Sequence, residues 1–576
     1  MKAFLSFLLW SVIACVSAQS VTALTGLKVL NIETGAYYDG PQTILLKEGK
    51  IQAIIPDATA DLEPQVKRLA RNGMFVVPAM VDGHVHFFQS GGLYARPDVI
   101  DLRKLEPYET EISRVRDQAA DFFQRYLRCG VTRVMDVGGP MSNYDVRTQA
   151  DSLGANAPKA YVTGPLITPY LPPEYKDLKD PPFVLCKTAA EARAAVQAQL
   201  PFKPDFIKIW YIVLQNETPQ DHYDMVKATI YACSTHNIPV AVHATQFETA
   251  RLAVTAGAKI LVHSIDDEIV DEELVKMLVK NQVTYIPTLM VSSKYFEVLS
   301  QHLDISEEDF EFANPFALGS LMDLRHIPAK ARPRFVNFLM SQANPTPRRS
   351  DSISAVNLKI LSDAGVNVVT GTDAGNIGTQ HASSYFQEIR LMQQAGLSPA
   401  TILKAGSINA AKALGASAEW GKVAPGYEAS FLVLKKDPLE DISNLNSLHE
   451  LVWRGEVQPA EKLAVPTPEM VAQQQLNAYN ARDIDAFVAC YSDTVKVYNF
   501  PNELSYTGTE QMREQYGRFF QEVPNLHCEL VNRITVGNKV IDREKVTGFT
   551  NGYEIEAVAI YTVEQGKITE VYFIRG

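Results

Sequence analysis

The pattern of apolar and polar positions changes character three times along the chain. From Val21 to about Arg71, short alternating runs such as LTGLKVLNIETG and QTILLKEGKIQAII are broken at Asp39-Gly40-Pro41 and Glu48-Gly49, which predicts a small β-sheet. From Phe75 onward, short apolar runs alternate with longer segments of helical period, the mark of parallel strands joined by helices. Eight strands are predicted: Phe75 to Phe87, Val131 to Val137, Ala160 to Ile167, Phe206 to Ile212, Pro239 to Ala244, Lys259 to Ser264, Val283 to Leu289 and Val366 to Thr372. Eight such units are the number that closes a (β/α)8 TIM barrel, an α/β fold whose chemistry sits at the carboxyl ends of the strands. The long connection from Val291 to Arg349, rich in aromatic and acidic residues, is expected to be a largely helical cover over the barrel mouth.

From Gly421 to about Val465 short strands return. After the proline-marked VPTPEM, helical segments (Glu469 to Tyr491, Met512 to Glu522) and four β-runs predict a separate C-terminal α+β domain. The runs are joined at Gly537-Asn538, Asn551-Gly552 and Gln565-Gly566.

The barrel places a demand on the strand ends, and the chain meets it. The first strand ends VDGHVHF, with His84 and His86 two residues apart and so on one face, able to approach one metal ion together. The fifth strand ends in His243, the sixth in His263, and the eighth delivers Asp373. In DFIKIW on the fourth strand, the isoleucines suit the helix-packed side, which sends Lys208 into the barrel. An unpaired ammonium there is costly. Either Lys208 pairs with Asp373 as an ordinary ion pair or it tends to lose its charge. Each histidine alone reads equally well as a structural residue; five strands ending in such groups together read as a metal site.

Composition narrows the partners. A chain of 576 residues with net charge -12 lacks the basic surface that nucleic acid demands, so small molecules are the expected partners. Residues 1–18 combine Lys2, the apolar FLSFLLWSVIA and a small-residue end, the pattern of a signal peptide and of a secreted or periplasmic protein. Val12-Ile13-Ala14-Cys15 also resembles a bacterial lipoprotein box, which would anchor the chain at Cys15. No later run is long enough for a membrane span. The other cysteines, Cys129, Cys186, Cys233, Cys490 and Cys528, have no paired spacing, so neither a disulfide framework nor a cysteine metal site is expected.

The signatures VDGHVHF, GVTRVMDVGG, DFIKIW, VAVHA, LVHS and GTDAG, with the tail GKVAPGYEASFLVL, resemble the metal-dependent amidohydrolase superfamily, particularly its prolidase-like and imidazolonepropionase-like branch. The resemblance implies that His84, His86 and Asp373 hold one divalent metal and that His243 and His263 hold a second. It also implies that Lys208 is carboxylated to N6-carboxylysine and bridges them. Zinc is the default for such donors, with one or two ions per chain. Metal-activated water would then cleave a carbon–nitrogen bond, with Asp373 as proton shuttle. His381 is a candidate substrate contact, equally open to a structural role. Arg96, Arg103 and Arg147 lie on or near the catalytic-face loops as possible carboxylate partners. Ala429-Ser430 departs from the Ala-Asp usual before this family's FLVL strand.

In that family the tail and the N-terminal strands form one β-sandwich. The implied organisation is a signal peptide over 1–18, sandwich strands over 19–74, barrel over 75–415, sandwich strands over 416–465 and an appended domain over 466–576. The last resembles SnoaL-like, nuclear transport factor 2-like cones. In its VKVYNFPNE, Tyr498 and Asn499 stand where the isomerases of that family carry an acid, and no convincing acid–tyrosine set is evident, so a dimerisation or pocket-covering module is expected, with a homo-oligomer formed through it. The function expected is hydrolysis of an amide, peptide or cyclic amide. An esterase or lactonase is the alternative, and a non-catalytic ligand-binding or scaffold protein the third reading.

Overall fold

The computed structural model describes residues 21–342 and 349–575. The leader-like segment 1–18, with Cys15, lies outside the described residues. The five cysteines within them are free, and no described helix is long and apolar enough to cross a membrane.

Eight parallel strands close into a barrel in chain order. The first runs Met80–Val85 and pairs with Val131–Asp136, which pairs with Lys159–Val162. The circuit continues through Ile207–Trp210, Val240–His243, Ile260–Val262, Thr284–Ile286 and Asn367–Val368. The eighth strand returns to the first beyond its regular residues. Gly83 N–H donates to Thr370 O at 2.8 Å, Asp373 N–H to His84 O at 2.7 Å and His86 N–H to Ala374 O at 2.8 Å. Two glycines permit that closure. A Cβ on Gly83 would lie 2.8 Å from Val369 Cγ1 and 2.9 Å from Thr370 O, and one on Gly371 would lie 2.5 Å from Ile286 Cγ2 and 3.0 Å from His84 N.

Two strands differ from the sequence expectation. The run from Phe75 to Phe87 is two strands, because Phe75–Pro78 pairs with Phe431–Leu434 in the sandwich and only Met80–Val85 enters the barrel. Pro78, which cannot donate to a ladder, marks the change. The third barrel strand is interrupted at Gly164-Pro165 and resumes as Leu166–Thr168. There Gln199 accepts from Gly164 N–H at 3.2 Å and donates to Pro165 O at 2.9 Å, while Asn143 donates to Thr163 O at 2.9 Å. An extra strand, Phe183–Leu185, adds beside the resumed segment.

The N-terminal strands Thr22–Asn31, Gln42–Lys47 and Lys50–Pro56 share one sheet system with Phe431–Leu434, Leu448–Trp453 and Glu456–Pro459. Ser430, the departure from the family pattern, sits where the sandwich meets the barrel, its hydroxyl 3.2 Å from that of Thr132 and far from the metal-competent residues in the fold. The cover is helical as expected: Val291–Ser300, Glu307–Phe312, Pro315–Ser320 and Arg334–Met340.

The C-terminal domain wraps a six-stranded sheet around the helices Pro468–Ala481, Ile484–Ala489 and Thr509–Glu522. Its first helix seats on the cover. Asn477 is buried and donates to Pro315 O at 2.6 Å. From the other side Arg125 of the barrel helix Ala119–Arg128 donates to Phe312 O at 3.1 Å and Ala313 O at 2.8 Å. The cover in turn accepts from the loop after the first strand, Leu93 N–H to Ser320 Oγ at 3.0 Å. The C-terminal domain is thereby joined mechanically to the barrel mouth. Replacing Asn477 with Ala removes its buried hydrogen bond to Pro315 O, and the expected loss is about 0.5–1.5 kcal/mol, read as a shift in denaturant midpoint.

Candidate metal centre

The side chains foreseen at the strand ends converge. His84 and Lys208 are fully buried, Asp373 is almost so, and His243 and His263 are half-buried. Ring centroids separate by 5.3 Å for His84–His86, 4.7 Å for His84–His263 and 4.3 Å for His243–His263. His86, Lys208, His243, His263 and Asp373 floor a cavity of about 400 Å³. Its walls include Leu166, Phe183 and Trp210 on one side and the cover residues Val291 and Tyr295 on another.

Asp373 is the hub. Its Oδ1 lies 3.1 Å from His84 Nε2 and 3.2 Å from His86 Nε2, and its Oδ2 lies 3.8 Å from His263 Nδ1. Among the described residues its ion-pair contacts within 4.0 Å are these three imidazoles and do not include Lys208, so the ordinary Lys208–Asp373 pair does not form. His86 Nδ1 is 2.7 Å from Gly138 O. A carbonyl only accepts, so Nδ1 carries a proton, and in the neutral ring Nε2 presents its lone pair to Asp373 Oδ1. With the imidazole neutral, the two facing electron-rich atoms are an arrangement that a cation between them would satisfy. His84 makes the same point, since both its ring nitrogens and Asp373 Oδ1 are buried without hydrogen-bond partners. Ligands of a tetrahedral ion at about 2.1 Å stand roughly 3.4 Å apart, close to these separations. His84, His263 and Asp373 offer ligand atoms all within 4.8 Å of one another, so a metal ion fits the set.

Electrostatics favour the ligand forms. Burial pushes His84 and His243 down to about 3, with nearby Lys208 acting in the same direction, and holds His263 well below its ordinary value. Neutral imidazole is the form that binds metal. Burial opposes ionisation of Asp373, but His84, His86 and His263 outweigh it and hold the carboxyl well below the usual range. Burial also lowers the Lys208 amine to about 7. His263, Thr288 and Asp373 all carry positive φ (72°, 46° and 62°), backbone strain concentrated at the ends of the sixth, seventh and eighth strands.

Three buried carboxylates support this centre and were not singled out from the sequence. Asp82 accepts from Thr372 N–H at 3.0 Å, the Thr372 hydroxyl at 2.7 Å and His84 N–H at 3.3 Å, lacing the first strand to the eighth. Asp136 accepts from Phe87 N–H at 3.0 Å and Gly138 N–H at 3.2 Å, fixing the carbonyl that orients His86. Glu388 accepts from Leu289 and Met290 N–H at 2.9 and 3.1 Å, anchoring the start of the cover. Burial raises them to about 7, 6 and 8 respectively. A signal existed for Asp82, which shares strand parity with His84 and His86.

The remaining candidates fall elsewhere. His381 is buried, stacked on Phe87 at 4.9 Å, with Nε2 2.8 Å from Gln89 O and Nδ1 3.1 Å from the Tyr126 hydroxyl. It does not line the cavity, and the structure places it among Phe87, Phe122 and Tyr126. Arg103 pairs with Asp101 at 2.8 Å and Arg147 with Asp205 at 3.0 Å, both away from the cavity lining. Arg96 does line it, but its guanidinium is engaged by Asp98 at 2.6 and 2.8 Å, the Tyr295 hydroxyl at 3.1 Å and Asn376. It clamps the first-strand loop to the cover and to the eighth-strand loop.

Comparison with known proteins gives a consistent picture. The amidohydrolase family model matches residues 75–457, and the SnoaL-like domain model matches residues 472–571. An adenine deaminase of Bacillus pumilus (strain SAFR-032) is 26% identical over 183 residues, 31% of this chain and 30% of that protein. The chain therefore spans under a third of the length of that curated relative. Among solved structures, a Xaa-Pro dipeptidase with methionine bound in its active site superposes with TM-score 0.56 at 19% identity, covering 76% of this chain and 100% of that one. A prolidase complexed with N-methylphosphonate-L-proline gives TM-score 0.57 at 20% identity, again covering 76% and 100%. At these identities the structural likeness speaks to the fold.

The protonation pattern predicts how stability depends on pH. Histidines at about 3 in the folded chain and about 6.5 when unfolded leave the unfolded state holding more protons between those values. Stability of metal-free protein should therefore fall as pH drops below about 6.5, by about 1.4 kcal/mol per pH unit for each such histidine. Replacing His243 with Asn should flatten that slope in chelator-treated protein, measured by urea unfolding across the pH range.

Proposed function

The chain belongs to the amidohydrolase family, and from that premise we propose that it is a metal-dependent hydrolase cleaving a carbon–nitrogen bond of a small substrate in the cavity over Asp373. The observation that carries the reading is the convergence of His84, His86 and His263 on the buried Asp373 carboxylate, with His86 Nε2 3.2 Å from Asp373 Oδ1 and both ring nitrogens of His84 without hydrogen-bond partners. A divalent ion bound there, zinc by the preference of nitrogen and oxygen donors, supplies Lewis-acid activation of water and of the scissile carbonyl.

The chain's own residues then divide the work. His84, His86 and Asp373 are assigned to one ion and His243 and His263 to a second, with His263 close enough to Asp373 to make the two sets one continuous cluster. Lys208 is assigned as N6-carboxylysine between them. Its burial supports this, because an ammonium among His84, His243 and His263 has only the charge of Asp373 to offset its desolvation, whereas a carbamate oxygen is itself a ligand. Asp373 takes a proton from water and returns it to the leaving nitrogen. Leu166, Phe183 and Trp210 offer an apolar wall for a substrate side group, and the cover with Arg96 closes the other side.

A cavity of about 400 Å³ suits a dipeptide-sized or purine-sized molecule. Two substrate classes follow: Xaa-Pro or N-acyl amino acid amides, supported by the prolidase-like neighbours, and removal of an amine from a purine-like ring, supported by the adenine deaminase similarity. Esters and lactones are the alternative within the same chemistry. Export from the cytoplasm is a further proposal, resting on the leader-like residues 1–18 alone.

Metal analysis of purified protein should return about one to two divalent ions per chain, and a panel of Xaa-Pro dipeptides, N-acyl amino acids, adenine and lactones identifies the bond cut. Asp373→Asn should keep the fold and lower turnover by roughly 10²- to 10⁴-fold. Protein that turns over substrate without metal and ignores chelators would remove the metalloenzyme reading.

A further inference from the structure

The cover contributes to the cavity wall a hydroxyl whose hydrogen-bonding directions are fixed by its neighbours. Tyr295, on the helix Val291–Ser300, lines the same cavity as Asp373. Its Oη lies 2.6 Å from Asn376 Oδ1 and accepts from Arg96 Nη1 at 3.1 Å. Arg96 Nη1 also donates to Asn376 Oδ1. The other end of the Asn376 amide, Nδ2, donates to Asp373 O at 3.1 Å. These contacts leave one orientation of the amide. Turned over, it would set Nδ2 against the guanidinium and Oδ1 against a carbonyl, two contacts that no proton can satisfy. Oδ1 is therefore the acceptor, and the Tyr295 proton points to it.

A hydroxyl has one proton and two lone pairs. At Tyr295 the proton is directed to Asn376 and one lone pair to Arg96, so Oη has a lone pair, and only that, to offer the cavity. Burial raises the phenol well above its ordinary value against the opposing pull of Arg96, which keeps the proton in place. The frame behind it is fixed. Asn376 is buried and its carbonyl accepts from Thr379 N–H at 2.8 Å. Arg96 is gripped by Asp98 at 2.6 and 2.8 Å, and Asp98 in turn accepts from the Tyr175 hydroxyl at 2.8 Å. The same frame matches the charge of Arg96 with that of Asp98. A substrate carboxylate brought to this wall would meet the oxygens of Tyr295 and Asn376 and a guanidinium already neutralised. Asp266 and Asp351, each engaged within the chain, add two further carboxylates to the lining.

We propose that the Tyr295 hydroxyl oxygen is an amine subsite, accepting a hydrogen bond from a substrate ammonium, so that the preferred substrates carry an amine beside the carbonyl that is attacked. An ammonium is three donors and no acceptor, the complement of a fixed lone pair. Hydrogen bonds from a charged donor are the stronger kind, and a fixed acceptor needs no reorganisation to receive one. Asn376 is a positioning residue here. It acts through Tyr295 by holding the phenol proton away from the cavity, and through its Nδ2 it joins the amine subsite to Asp373 within one side chain. The inference rests on the hydrolase reading for where the carbonyl sits, and adds the wall that selects the group next to it.

Leucinol and 4-methylpentan-1-ol differ only in the amine, and neither has a bond for the enzyme to cut. Titrated calorimetrically into full-length, metal-loaded protein, leucinol should bind roughly 10- to 100-fold more tightly, the range expected of a hydrogen bond to a charged group. Tyr295→Phe removes the hydroxyl alone and should bring the two ligands to within about threefold of each other. Asn376→Ala frees the phenol proton to turn toward the cavity and should lower the ratio by a smaller factor. In both variants the affinity for 4-methylpentan-1-ol should hold, a result that a general loss of structure would not give. Circular dichroism melts identify a variant that has lost its fold, in which case the other decides. A wild-type ratio near one overturns the proposal, as does leucinol that fails to bind, or a preference that survives Tyr295→Phe because the amine sits on the metal. Metal content measured in the same samples tests the hydrolase reading separately, so a missing amine preference with metal retained removes the subsite alone.

Discussion

The contact of the buried Asp373 carboxylate with the imidazoles of His84, His86 and His263 is the interaction on which the rest depends. Asp373 lies where the eighth barrel strand returns to the first, and its own N–H closes that seam by donating to His84 O at 2.7 Å. Closing the barrel and assembling the centre are thus one event. Gly83 and Gly371 keep the seam tight enough for it, and Asp82 fastens the two strands by holding Thr372. The positive φ at Asp373, His263 and Thr288 is carried by this over-determined frame.

Outward from that hub, polar groups are arranged in shells. Gly138 O orients His86 and is itself held through Asp136, while the Thr288 hydroxyl meets His263 Nδ1 at 2.9 Å. Beyond the centre, Arg96 ties three mouth elements together, and the cover passes those ties to the C-terminal domain through Ser320, Pro315 and Asn477. The appended domain is therefore mechanically continuous with the substrate cavity, although it contributes no residue to the cavity lining.

Much of this was legible in the strand ends. Period-two alternation in VDGHVHF and FIKIW says which residues share a face, and the eight-unit repeat says that those faces meet at one rim. Where the reading slipped, the cause is a physical signal that local sequence does not carry. Phe75–Pro78 is as apolar as Met80–Val85, and only its pairing with Phe431–Leu434, some 350 positions later, assigns it to the sandwich. His381 follows Asp373 closely in the chain, yet Phe87, Tyr126 and Gln89 from other elements turn it inward.

The sequence by itself determined the barrel, the appended domain and the identity of the six side chains at the rim, because periodicity and residue chemistry are local properties. The tertiary structure decided which of those side chains touch, that His86 presents Nε2 to Asp373, and that Arg96 serves as a clamp. It also decided that the C-terminal strands join in one six-stranded sheet with its helices packed on one face. Each of these is a matter of register and proximity between segments distant in the chain, and register is set only when the whole core packs.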